Sequence, residues 1–187
     1  LVKPGAKASV ERELGPSVSV KSTIWRPQAL AAMFGTVVPS WRGTDVVFTH
    51  NFTSLSPRAQ RVVLIHDFMF CEHPEWFTKR EKAYFSWMPR TAPLAGVILG
   101  TSETEANRMS HYLRGRRVVP VGLGMSSDLM EVAPAASLPA SLSDLAPGEF
   151  ILSVGRLNAR KNLMMTIEAA LDSGILSRDF PLLVVGS

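Results

Sequence analysis

Arg156, Arg160 and Lys161 crowd into one short segment, Val154–Asn162. Directly after it, Leu163, Ile167, Ala170 and Leu171 are spaced as the buried stripe of a helix, so a helix is expected to begin near Lys161, with Gly174 as its stop. A helix N-terminus carries a positive partial charge, and each cation placed there is unfavourable by about 0.3–1 kcal/mol. Residues that break a local rule together point to a functional reason. A bound anion supplies one, because free backbone N–H groups flanked by Arg and Lys make a phosphate site. The alternative is that the three side chains extend into solvent at little cost.

His66 and Asp67 follow directly on the apolar run Val62–Ile65. A histidine at a strand end can donate a hydrogen bond, act as a general base or ligate a metal, or it can simply be hydrogen-bonded in place. A metal reading would gather His66, Asp67, Cys71 and His73. Their spacing fits no standard zinc pattern, and Phe68, Met69 and Phe70 intervene, so no metal site is expected. No Gly-x-Ser-x-Gly elbow singles out a nucleophilic serine. Trp76, Phe77, Tyr84, Phe85 and Trp87 form an aromatic patch beside Lys79, Arg80 and Lys82. Core packing, a sugar platform and a membrane-facing edge are its three readings.

The elements that must hold these groups are short. Val46–Phe48, Val62–Ile65, Val97–Leu99, Phe150–Leu152 and Leu182–Val185 are apolar runs without polar alternation, as in parallel strands covered on both faces. Val18–Val20 is expected to add a strand near the start, and Val118-Val119 a short one later. Thr78 to Glu81 has capping-box spacing and opens a helix with Tyr84, Trp87 and Met88 on one face, kinked or ended by Pro89 and Pro93. Ser102 to Glu105 repeats the spacing ahead of Ala106, Met109 and Leu113. The alternation predicts an α/β fold. In a parallel sheet, ligands gather outside the carboxyl ends of the strands. Those ends carry His50-Asn51, His66-Asp67, Thr101-Ser102-Glu103 and Gly155-Arg156, with Asp67, Ser102 and Gly155 as candidate cleft-lining residues.

The 187 residues carry a net charge of +4, which admits phosphorylated ligands or an anionic surface, but no basic run is long enough for a nucleic-acid arm. One cysteine excludes an internal disulfide and fits a reducing, cytoplasmic compartment. No apolar run reaches a membrane span, and the first residues lack the apolar stretch of a signal peptide. The Ala-, Ser- and Pro-rich texture of residues 125–148 predicts a linker between a domain at 1–124 and a second that begins at 149. The strand–helix–strand unit at 149–187 is too small to bury its own core, so the second domain is expected to continue past Ser187.

With these segments in view, the chain resembles the family 4 glycosyltransferases. The ordered match runs through Asp45–His50, Val63–Asp67, Ala95–Glu103, Val118–Leu123 and Ile151–Leu157 followed by Lys161. The resemblance implies a GT-B architecture of twin Rossmann-like domains, the first on the acceptor side and incomplete at its start, the second binding a nucleotide sugar. It implies a retaining transfer of a sugar, such as a hexose or mannose, from a nucleotide-diphosphate donor to a hydroxyl of a glycan, glycolipid or other acceptor, as in polysaccharide biosynthesis. Arg156 and Lys161 would then hold the donor diphosphate, and His66 would contact the donor sugar as the catalytic-site histidine. No metal, no cofactor and no nucleic acid are implied, and a lipid-linked acceptor would place the enzyme at the inner face of the membrane. Val121 stands where the family usually has Asn, and Asn162 where Gly is common. The family's Gly-rich loop and paired-Glu motif have no counterpart here, so these 187 residues alone are not expected to turn over. The competing expectation is a non-catalytic relative that binds a nucleotide sugar or a partner protein.

Overall fold

The five longer β-branched or aliphatic runs form strands, because branched side chains pack well on a pleated surface. The strands are β1 (Val46–His50), β2 (Gln60–Ile65), β3 (Val97–Gly100), β4 (Val119–Pro120), β5 (Ile151–Val154) and β6 (Leu182–Val185). The structure is a computed structural model that describes residues 4–35, 37, 44–125, 145–146 and 148–186. Two compact units divide the chain, Leu1–Gly124 and Met125–Ser187. The expected linker, residues 125–148, lies almost entirely outside the described residues.

Unit 1 holds a four-stranded parallel sheet in the order β1-β2-β3-β4. Its helices are α1 (Lys7–Leu14), α2 (Gln28–Phe34), α3 (Met69–Glu72), α4 (Lys79–Phe85), α5 (Trp87–Thr91) and α6 (Glu103–Tyr112). The expected strand at Val18–Val20 is absent; these residues run as irregular chain with a lone bridge at Ser22. They follow the positive-φ Gly15 that closes α1, and neither sheet pairs with them among the described residues. Strand β1 reaches β2 without a helix: Phe52, Thr53 and Ser54 pass through the interior as fully buried chain. Such a crossover must find partners for its backbone polar groups within the fold. The Leu55 N–H donates to the Met33 carbonyl at 2.9 Å, the Ser56 N–H to Ser54 Oγ at 3.0 Å, and the Thr53 N–H to Thr91 Oγ1 at 3.4 Å.

The core lies on one face of this sheet. Val63, Ile65 and Ile98 pack with Met33, Met88, Ala92, Ala106, Met109 and Leu113, as the stripe spacing of α6 predicts. The expectation that both faces are covered fails on the other face, among the described residues: Val46 and Phe48 are 52% and 59% exposed, and Val62, Leu64, Val97 and Leu99 are half-buried. The Thr78 capping box forms in both directions, with Glu81 N–H to Thr78 Oγ1 at 3.2 Å and Thr78 N–H to Glu81 Oε2 at 2.9 Å. The break falls at Ser86, between α4 and α5. Pro89 explains it, since it has no N–H for the Phe85 carbonyl and its ring crowds that oxygen.

Unit 2 pairs β5 with β6 in parallel, connected through α7 (Leu163–Asp172). Ala170 is buried, while Leu163 and Ile167 are half-buried. Leu171, expected in the stripe, is 62% exposed, because it sits at the margin of the stripe over a sheet only two strands wide. Among the described residues, no helix is long and apolar enough to cross a membrane. The architecture is α/β, compatible with a Rossmann-like fold.

Candidate functional site

The carboxyl ends of β1, β2 and β3 bring His50, His66 and Thr101 together. Parallel register sets His50 beside Leu64, two residues short of His66. The imidazoles meet edge to face, with ring centroids 4.3 Å apart. His66 is exposed, but its backbone is gripped from both sides. Its N–H donates to Asn51 Oδ1 at 3.3 Å, and its carbonyl accepts from Thr101 Oγ1 at 2.8 Å. Asn51 offers that oxygen from a left-handed backbone (φ 63°), which Asn tolerates better than most residues. The Gln28 amide donates to His50 Nδ1 at 3.3 Å, which fits the neutral tautomer protonated on Nε2. Burial and then the neighbouring His66 lower the His50 pKa from its ordinary value.

Asp67 and Ser102 are spent on shaping this edge. Asp67 Oδ1 accepts the Met69 N–H at 3.2 Å and so opens α3. Ser102 caps α6 by accepting the Glu105 N–H at 3.2 Å, but the reciprocal half of the expected capping box is missing. Glu105 instead accepts the Phe68 N–H at 3.4 Å and pairs with Arg108, which also pairs with Glu72. The carboxylate thus pins the turn after His66 to α6. Cys71 is half-buried, and burial pushes its thiol up to about 11, so it is a poor nucleophile at neutral pH. His73 turns away to Glu75 at 3.1 Å and stacks on Trp76 at 4.0 Å. Among the described residues, no three His, Cys, Asp or Glu side chains converge as metal ligands would.

The aromatic patch divides. Phe77 and Phe85 pack with Phe70, and Tyr84 meets Phe52 at 5.1 Å while accepting the Ala29 N–H at 3.3 Å. Trp76 and Trp87 stay 37% and 49% exposed. Phe and Tyr serve the core here; the tryptophans do not.

In unit 2 the carboxyl end of β5 opens into Gly155, Arg156 and a single 3-10 turn at Ala159–Lys161. Asn158 caps that turn, its Oδ1 accepting the Lys161 N–H at 3.2 Å. Asn162 then adopts a left-handed conformation (φ 47°, ψ 44°), and α7 starts at Leu163. Arg160 and Lys161 therefore sit one turn ahead of the helix rather than in its first turn, which is Leu163-Met164-Met165. The left-handed Asn162 accounts for that offset, and it occupies a position where Gly would be unstrained. Arg156 and Lys161 are exposed. The Lys161 stem lies along Gly155: a Cβ on that glycine would sit 3.7 Å from its Cγ, Cδ and Cε carbons. Gly186, just past β6, approaches so closely that a Cβ there would lie 1.8 Å from the Gly155 carbonyl oxygen. A glycine strand end beside two exposed cations can accept a phosphate.

Unit 1 thus assembles His66 with His50 and Asn51, which the sequence placed at a strand end without assigning either a role. Their shared position at the ends of adjacent apolar runs was the available signal. Unit 2 assembles Gly155, Arg156 and Lys161, shaped by Asn158 and Asn162. Comparison of the chain with protein-family models, with curated proteins and with solved structures returned no match.

Proposed function

We propose that the protein is a retaining glycosyltransferase of GT-B type, similar to family 4, that uses a nucleotide-diphosphate sugar. One observation carries this most: Arg156 and Lys161 flank the bare Gly155 strand end, with the Lys161 stem laid along that glycine. In such a transfer, negative charge builds on the departing nucleoside diphosphate as its bond to the sugar breaks. Cations fixed where that charge appears stabilise the transition state more than the ground state. Arg156 is suited to grip the diphosphate through two parallel N–H bonds, and Lys161 to add a compact charge. This assignment gives Arg156 and Lys161 the charge neutralisation and needs no cofactor.

His66 is the matching candidate for the donor sugar, since its imidazole is exposed while its backbone is held by Asn51 and Thr101. No protein nucleophile is assigned. The acceptor is a hydroxyl of a glycan or a lipid-linked glycan, and the compartment is cytoplasmic, with the membrane's inner face as the place of a lipid-linked acceptor. The test is a panel of nucleotide-diphosphate sugars offered, with glycan and glycolipid acceptors, to the full-length protein that carries the second domain entire, with the product anomer read by NMR. Transfer with retention, reduced about 100-fold or more in Arg156→Ala, is the expected result. Transfer with inversion, or a fully active Arg156→Ala, would sink the proposal.

A further inference from the structure

Helix α5 and the turn after it separate two hollows on unit 1. On one side is a cavity of about 480 Å³ walled by Leu30, Met33, Phe34, Leu55 and Leu94, within the range of small-ligand sites. The polar groups in its wall are already used: Tyr84 Oη accepts the Ala29 N–H, and Thr91 Oγ1 donates to the Trp87 carbonyl at 2.9 Å. What remains is apolar. Phe34, Trp87 and Leu94, which line it, are 40%, 49% and 42% exposed.

The second hollow, about 590 Å³, lies among Pro89, Pro93, Tyr112, Arg114 and Arg116. Arg90 lines both. Its guanidinium donates to Ser86 Oγ at 3.1 Å and stands 6.0 Å from the Trp87 ring, at the border between apolar and cationic ground. Arg116 is anchored by donating to the Pro93 carbonyl. Among the described residues lining either hollow, none is acidic. An apolar cavity that adjoins three uncompensated guanidinium groups complements a molecule with a hydrocarbon tail and an anionic head.

We propose that these hollows bind a single-chain anionic amphiphile, its chain in the apolar cavity and its phosphate-like head between Arg90, Arg114 and Arg116. The site is distinct from the Gly155–Lys161 segment and is read without any nucleotide sugar, so it stands or falls independently of the donor assignment. The probe is octyl phosphate below its micelle concentration, titrated calorimetrically into the full chain, with octyl glucoside as the neutral-headed control. Saturable binding of one octyl phosphate per chain is expected, with octyl glucoside at least about tenfold weaker and inorganic phosphate unable to compete at equal concentration. Joint Arg90→Ala and Arg114→Ala substitution should weaken octyl phosphate about tenfold and leave octyl glucoside unchanged. Leu30→Trp, which fills the cavity, should abolish both; should it unfold, the exposed arginine pair still decides. Equal affinity for the two amphiphiles, or wild-type binding by the arginine variant, would overturn the assignment. So would capture by phosphatidylglycerol vesicles without octyl phosphate binding, which would make the patch a bilayer-docking surface.

Discussion

In unit 1, His66 is placed by neighbours: Asn51 and Thr101 hold its backbone, and Glu105 pins the turn that follows. Beneath it lies a core with Val63, Ile65, Phe68 and Met109 fully buried. In unit 2, Arg156 and Lys161 are placed by the path of the chain itself, through a glycine strand end, an Asn-capped turn and one left-handed residue. Below them is a two-stranded sheet with Leu152 and Val154 more than half exposed. On the proposed function, His66 meets the donor sugar from a backbone fixed by a packed scaffold. On the same proposal, Arg156 and Lys161 only deliver charge to a phosphate, which asks for little more than a loop of the right shape.

The largest test of this contrast is in the cores. Met109→Ala removes a side chain that is 0% exposed and should cost unit 1 about 2–5 kcal/mol. Ile167→Ala, at a half-buried position, should cost unit 2 less than about 2 kcal/mol. Urea melts followed by amide exchange in each unit would separate the two, and equal losses would erase the distinction. Next comes Gly186→Ala, whose new Cβ meets the Gly155 carbonyl and must displace backbone, at about 1–3 kcal/mol. Gly155→Ala meets only the Lys161 stem, at an ordinary van der Waals distance of 3.7 Å, and should be close to neutral. If both variants melt alike, the close approach of the two strand ends is not what shapes the loop.

Smaller effects probe local shape. Asn162→Ala should lose about 1 kcal/mol, because Ala lacks the short polar side chain that lets Asn tolerate a left-handed backbone, whereas Asn162→Gly should be close to neutral. A thermal melt in which Ala matches Gly would remove the conformational reason for Asn. The smallest concerns pH. His50 has a lowered pKa when folded, so as pH falls through 6.5 the unfolded chain takes up this proton first, and stability declines until the folded His50 titrates too. In His66→Gln the neighbouring charge is gone and the His50 titration, followed by its ring-proton shifts, should move upward. An unmoved His50 would mean that burial alone sets its value.

Much of the scaffold was legible in advance because it follows from local rules. Apolar runs became parallel strands, Thr78 and Ser102 became caps, and Ala106, Met109 and Leu113 turned inward. Other features depended on partners distant in sequence. The buried Phe52–Ser54 crossover relies on Met33 and Thr91, and Glu105 deserts its own cap for Phe68 and Arg108. Helices α1 and α2 carry no charged cap or long stripe to announce them. The displaced start of α7 turned on the backbone angle of one residue, Asn162, which composition and periodicity do not reveal.

The most direct measurement is calorimetric titration of nucleoside diphosphates and monophosphates into wild type, Arg156→Ala, Lys161→Ala and His50→Gln. A diphosphate clamp at the end of β5 predicts tighter binding of the diphosphate than of the monophosphate. Each cation substitution should weaken the diphosphate about tenfold or more, in a salt-dependent manner, and His50→Gln should leave it unchanged. Equal binding of mono- and diphosphate, or wild-type affinity in both Arg156→Ala and Lys161→Ala, would contradict it.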